Sequence, residues 1–192
     1  MSDGIEVKLT GMDSLLAELR NLPASIRERV LIGAVAKAAT VIKDEAVRLA
    51  PEWKGSVQKG HPPPGTLKRA IYSARLMDQC TDTFEARIVS VRSGKLYSAV
   101  KVKGGTVNKD AFYARWVEYG HYTRTPGMTK QQHAKARGGV DLYTGAKWVP
   151  PRPFMRPAFD TKKDAAGEAL RDYLRANLPA ALMANKMLKV LA

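Results

Sequence analysis

The 192-residue sequence holds one cysteine and three histidines, and none of its apolar runs is long enough to cross a bilayer. Each shortage removes a class of protein. Cys80 alone can form neither an intrachain disulfide nor a cysteine zinc cluster, so a reducing compartment suits the chain. A membrane helix needs about 18–20 apolar residues. The longest apolar-rich stretch, 30–39, is broken by Gly33 and Lys37. The opening Met1-Ser2-Asp3-Gly4 lacks the apolar centre of a secretory signal, so export by that route is not expected. His61, His121 and His133 fall in expected loops, without a second ligand at helical metal-site spacing. There is no GxSxG, no P-loop and no convincing GxGxxG. Asp44, Glu45 and Glu52 read as a solvated helix end, and Cys80 as a small buried hydrophobe. The sequence therefore predicts no catalytic residue, no metal and no cofactor.

Negative charge is also scarce. Eighteen acidic residues face thirty-two basic ones, a net charge of +14. An excess of this size implies an anionic neighbour or a strongly solvated basic surface. Nucleic acid is the first candidate, because cationic side chains displace counterions from phosphates. Docking against an acidic protein is another.

What is present is 45% hydrophobic residues, enough for a core. Residues 5–9 alternate apolar and polar, the period of a half-buried strand. Thr10 follows as an N-cap, with Asp13 near the third position of a helix carrying Leu15, Leu16, Leu19 and Leu22 on one face. Pro23 separates it from a longer helix over 24–50, in which Ile26, Val30, Ala34, Ala38, Val41, Ile42 and Leu49 form a stripe. Pro51 stops that helix. A polar loop over 52–65 contains Pro62-Pro63-Pro64. Leu67, Ile71 and Leu76 are candidate core residues of a segment that reads as either strand or helix. Strand patterns follow over 84–91 and 97–102, joined as a hairpin through Ser93-Gly94 and ended by Gly104-Gly105. Phe112, Trp116 and Tyr119 share helical spacing, with Gly120 placed as the C-cap. That spacing makes Trp116 a core residue rather than a partner contact.

The stretch 120–157 is a long, poorly periodic loop with seven Lys/Arg against one Asp. Arg124, Lys130, Lys135, Arg137, Lys147 and Arg152 alternate there with Tyr122, His133, Tyr143 and Trp148. Cations among aromatics suit single-stranded nucleic acid, and they equally suit a protein interface, the reading favoured here. A last amphipathic helix spans 158–178, with Phe159, Ala166, Leu170, Tyr173 and Leu174 inward, and ends at Pro179. These elements predict an α+β fold: an antiparallel β-sheet packed by a long helix from the N-terminal half and by a C-terminal helix. One domain covers 1–180, with extended loops at 52–65 and 121–150, and 181–192 is a C-terminal tail.

Four stretches together resemble a known family. They are Val7-Lys8-Leu9-Thr10-Gly11-Met12-Asp13, then Pro64-Gly65-Thr66-Leu67-Lys68-Arg69-Ala70-Ile71, then Tyr113-Ala114-Arg115-Trp116-Val117-Glu118-Tyr119-Gly120, and Pro151-Arg152-Pro153-Phe154-Met155-Arg156-Pro157-Ala158-Phe159. The order is similar to that of minor tail components of lambda-like siphophages, with their Tyr-Ala-x-x-Val-Glu-Phe-Gly and Pro-x-Pro-Phe-Leu-Arg-Pro-Ala-Phe signatures. The stretch 121–150 is an insertion relative to many members.

The resemblance implies a structural virion protein, made in the host cytoplasm and not an enzyme. Its place would be the neck, where it completes or terminates the tail and joins it to the head, as a ring around the DNA channel. The implied partners are copies of itself, head connector or stopper proteins, the tail tube protein and, without sequence specificity, genomic DNA; no membrane is implied. Tyr113, Tyr119, Arg124, Tyr143, Trp148, Arg152 and Arg156 are then the expected interface residues. Lys130, Lys135, Arg137 and Lys147 are the expected DNA-channel contacts. The rival from another class is a nucleic-acid-binding protein or assembly factor that acts outside the virion.

Overall fold

The computed structural model describes residues 13–52, 62–81, 83–97, 100–102, 105–123 and 147–190. The expected strand at 5–9 and Thr10 lie outside the described residues, as do most of the 52–65 loop and Arg124, Lys130, Lys135, Arg137 and Tyr143. The chain divides into two compact units. The first comprises Met1–Leu49, Ile71–Val91 and Arg156–Ala192; the second comprises Ala50–Ala70 and Arg92–Met155.

The first unit is built on helix packing. Helix α1 (Asp13–Arg20) ends in a tight turn in which the Asn21 and Leu22 N–H groups donate to the Glu18 and Leu19 carbonyls. Pro23 comes just before α2 (Ala24–Leu49), where its missing N–H costs nothing, and its carbonyl accepts from Ile26 and Arg27. Leu19 and Leu22 pack with Val30 and Ala34 of α2 and with Leu174, Leu178 and Ala181 of the last helix, α5 (Met155–Val190). Burying a leucine stabilises by roughly 1.5–3 kcal/mol, so this cluster is the main source of cohesion. Gly33 lets the two long helices approach closely, because a methyl group there would overlap the Tyr173 ring.

Strands β1 (Ile71–Arg75) and β2 (Arg87–Val91) pair antiparallel, from Ile71 opposite Val91 to Arg75 opposite Arg87, and α2 packs on both. Two arginines face each other at the end of this ribbon, a repulsive arrangement by itself. It is offset by carboxylates: Arg75 donates to Glu28 of α2 and to the buried Glu85, each at 2.8 Å. These bonds, Glu28 foremost, hold the Arg75 guanidinium well above its ordinary pKa.

The second unit has shorter elements. Helix α3 (Thr66–Ala70) buries Thr66, Leu67 and Ala70, and the Thr66 hydroxyl donates to the Pro63 carbonyl at 2.6 Å. Strands β3 (Val100–Val102) and β4 (Gly105–Val107) form one ribbon. Helix α4 (Ala114–Tyr119) leads into β5 (His121–Tyr122), which pairs with β6 (Trp148–Val149).

The α+β class is as expected, and α2 spans the expected range to within a residue. Several expectations change. The described strands make separate two-stranded ribbons rather than one sheet. The expected hairpin between 84–91 and 97–102 does not form. Its second half begins as a 3-10 turn (Lys95–Tyr97), and β2 instead takes β1, across a connection tied by the Leu76 N–H to the Ala86 carbonyl. The chain turns away at Gly94, whose N–H donates to the Asp110 carboxylate at 2.7 Å. Phe84 lies before β2 and is exposed.

The last helix does not stop at 178. It runs through Pro179 to Val190, because Ala181 and Leu182 reach the leucine cluster and this packing outweighs the single hydrogen bond that proline removes. Glu45, expected on a solvated face, is buried. Arg48 grips both its oxygens, at 2.9 and 2.6 Å, and holds its carboxyl below the ordinary range against the opposing effect of burial.

Candidate functional site

The described residues 111–123 and 147–155 build a surface in which backbone hydrogen bonds tie the chain together and aromatic rings are exposed. Ala111 is buried, and its N–H donates to the Arg92 carbonyl. The Tyr113 carbonyl then accepts from Trp116 and Val117, which starts α4. Gly120 closes this short helix with φ +74, a left-handed conformation that glycine adopts without steric cost. Glycine is needed there for a second reason. A side chain would run into the Trp148 indole and the Val149 carbonyl, so the closeness of α4 to β6 depends on it.

The ribbon that follows is short, but it is tied beyond its two residue pairs. The Thr123 N–H donates to the Lys147 carbonyl, and the Lys147 N–H to the Thr123 hydroxyl, both at 2.8 Å. Past β6 come Pro150, Pro151 and Pro153, none of which has an N–H. Arg152 is the one backbone donor among them, and it bonds the Val117 carbonyl at 2.7 Å. That carbonyl is one of those a helix leaves unpaired at its C-terminal end. The next two N–H groups, of Phe154 and Met155, both donate to Glu118 Oε2, at 2.8 and 3.0 Å. Phe154 is fully buried. The two signatures singled out in the sequence are thus joined physically, since the Val117-Glu118 step of the first holds the Arg152-to-Met155 step of the second.

The rings lie on the outer side of this frame. Phe112 meets Trp116 edge-on at 5.9 Å, and Trp116 stacks on His121 at 5.5 Å. Tyr122 meets Trp148 at 4.9 Å. Trp116 and Trp148 are each 49% exposed and Tyr119 is 70% exposed. This corrects the expectation that Trp116 is core: a helix of six residues has too few turns to turn all its large rings inward. Arg115, Lys147 and Arg152 are exposed with them, whereas Glu118, the acidic residue of α4, is turned to the backbone amides. The exposed aromatics thus form two groups, Phe112–Trp116–His121 and Tyr122–Trp148, flanked by cations, a composition that suits an interaction surface.

Of the residues expected from sequence, Tyr119, Trp148, Arg152 and Lys147 belong to this surface. Tyr113 is partly buried, and burial pushes its phenol pKa up. Arg156 is exposed but belongs to the other unit. Tyr122, one of the aromatics of the expected basic loop, belongs to the surface too, as do Phe112, Arg115 and Trp116, which are not among the expected interface residues. Their density between 112 and 122 was the available signal. His121 Nδ1 is buried with no partner among the described residues. No group of His, Cys, Asp or Glu among the described residues could hold a metal ion, and no helix of the described residues is long and apolar enough to cross a membrane.

Residues 13–120, from the start of α1 to the glycine that closes α4, match the family model described as "Bacteriophage HK97-gp10, putative tail-component". The match covers more than half of the chain. The chain belongs to this family. Neither the curated proteins nor the solved structures give a match. The HK97-gp10-like match stops at Gly120, so β5, β6, the proline-rich segment and the exposed ring pair Tyr122–Trp148 lie beyond it.

Proposed function

We propose that this tail-component family member completes or terminates the phage tail and joins it to the head connector, assembling as a ring around the DNA channel. The observation that carries the reading, beyond family membership, is the exposed aromatic and cationic face of α4, β5 and β6. Aromatic and arginine side chains dominate the energetics of protein interfaces. Exposing five large rings is costly for a free protein and suited to one that works in an assembly. Tyr119, Trp148 and Arg152 are the anchors. Arg124, Tyr143, Lys130, Lys135 and Arg137 belong to the same interface or to the channel wall. Passing DNA needs only sequence-independent attraction, because it must slide.

Cryo-electron microscopy of purified virions tests this. The expected result is density for the chain as a ring between connector and tail tube. Absence from virions, with the protein present in infected cells, would overturn it.

One observation favours the rival reading of a free nucleic-acid binder: the second unit has sixteen Lys/Arg against four Asp/Glu. Tight, steeply salt-dependent binding of duplex DNA by the isolated protein, together with its absence from virions, is the outcome that reading requires.

A further inference from the structure

Basic residues divide evenly between the two units, sixteen in each, but fourteen of the eighteen acidic residues fall in the helical one. The cationic face of α4, β5 and β6 therefore has few carboxylates in its own unit, and Glu118 is already committed to two amides. In the helical unit one group of carboxylates is set out in a row. Asp160, Asp164, Glu168 and Asp172 follow at intervals of four along α5, and all are exposed. That spacing places them one above another on a helix face. Thr161 and Ala165 are exposed among them, so the face is flat as well as acidic.

Basic neighbours pair with Glu168 and Asp172 and leave out the Asp160–Asp164 end of the row. Lys162 lies near enough to Glu45 of α2 to help lower its pKa. Arg171 is largely covered and holds Glu168 at 2.6 Å, and Arg175 stands 3.9 Å from Asp172. Asp160 and Asp164 have no ion pair among the described residues.

We infer that the acidic row on α5 of one copy docks against the aromatic and cationic face of the next. The occupant of the face is thus a second copy of this chain, and the inference rests on the ring reading above. The two surfaces are complementary in charge. Large rings with Arg115, Lys147 and Arg152 on one side meet carboxylates and small side chains on the other. Arginine suits this pairing because its fork matches a carboxylate. The surfaces differ, so the contact is heterologous, the kind that repeats around a ring.

The test uses the full-length chain and sedimentation velocity over a concentration series. The variants are R115E/K147E and D160K/D164K, all at exposed positions, with thermal unfolding confirming that each folds like the parent. Each variant alone is expected to associate about tenfold more weakly or worse, because like charges then meet across the contact. Mixed together they are expected to associate again, since each altered face then meets its complement. If the parent associates and neither variant weakens it, the docking pair is wrong while the ring reading stands. If both variants weaken it but the mixture does not recover, each face has another partner and the inference fails. If the parent stays monomeric throughout, the inference fails, and the ring reading is decided separately by the virion reconstruction.

Discussion

In the helical unit the leucines between the helices turn inward. Leu19, Leu22, Leu174 and Leu178 are each at most 4% exposed. In the other unit Leu67 and Phe154 are the large side chains buried to that degree among the described residues, while Phe112, Trp116, Tyr122 and Trp148 stand about half open to solvent and Tyr119 more so. Charge follows the same division: near balance in the first unit, strong excess in the second. One unit is held by apolar burial between helices. The other is held by a few well-placed polar bonds, and its rings remain available for partners. Stability and assembly should therefore respond to different residues.

The largest expected effect is in the leucine cluster. Leu174→Ala should cost about 2–5 kcal/mol in urea unfolding, since it leaves a cavity in the packed core. Tyr119→Ala should stay within about 0.5 kcal/mol of the parent while weakening assembly. Equal destabilisation by the two would break the comparison.

Pro179→Ala comes next and has the opposite sign. It should stabilise by about 1–3 kcal/mol with unchanged helix content by circular dichroism, because proline is about 3 kcal/mol less favourable than alanine inside a helix. No gain would mean that the helix does not run through 179.

Glu118→Ala tests the polar frame of the second unit. Leaving the Phe154 and Met155 N–H groups without their acceptor should cost about 1–3 kcal/mol and speed hydrogen exchange at both. Parent-like exchange there would show that the frame does not depend on this carboxylate.

The smallest effect concerns acid. The Glu45 carboxyl is depressed in the folded chain, chiefly by the Arg48 hydrogen bond. Its contribution is therefore present above the ordinary carboxylate pKa and is lost as pH falls through the lower folded value. Glu45→Gln should make the loss of stability between neutral and acid pH shallower, measured as urea midpoints at pH 7 and pH 3. A steeper loss in the variant would contradict the sign.

What the sequence made legible was whatever is locally periodic or locally capped. The stripe of α2 and the glycine that closes α4 were both readable. Pro179 misled because its local preference was outweighed by a distant cluster. The pairing of β2 was hidden for a related reason: short strands of similar character do not encode their partners, and here an aspartate sixteen residues past Gly94 helps redirect the chain. Glu118 stood inside a recognised signature, yet nothing in its spacing revealed that its acceptor oxygen serves amides 36 and 37 positions later.

The β5–β6 ribbon has a consequence for how such a chain tolerates change. Both ends of the segment between Thr123 and Lys147 are fixed by paired backbone, by the Gly120–Trp148 contact and by the Arg152 and Glu118 bonds. The entropic cost of closing a loop grows only with the logarithm of its length. Sequence can therefore be added, removed or exchanged between those anchor points while the ribbon beneath keeps its register. The position is a natural port for grafting, where an experimenter can install an epitope without rebuilding the scaffold.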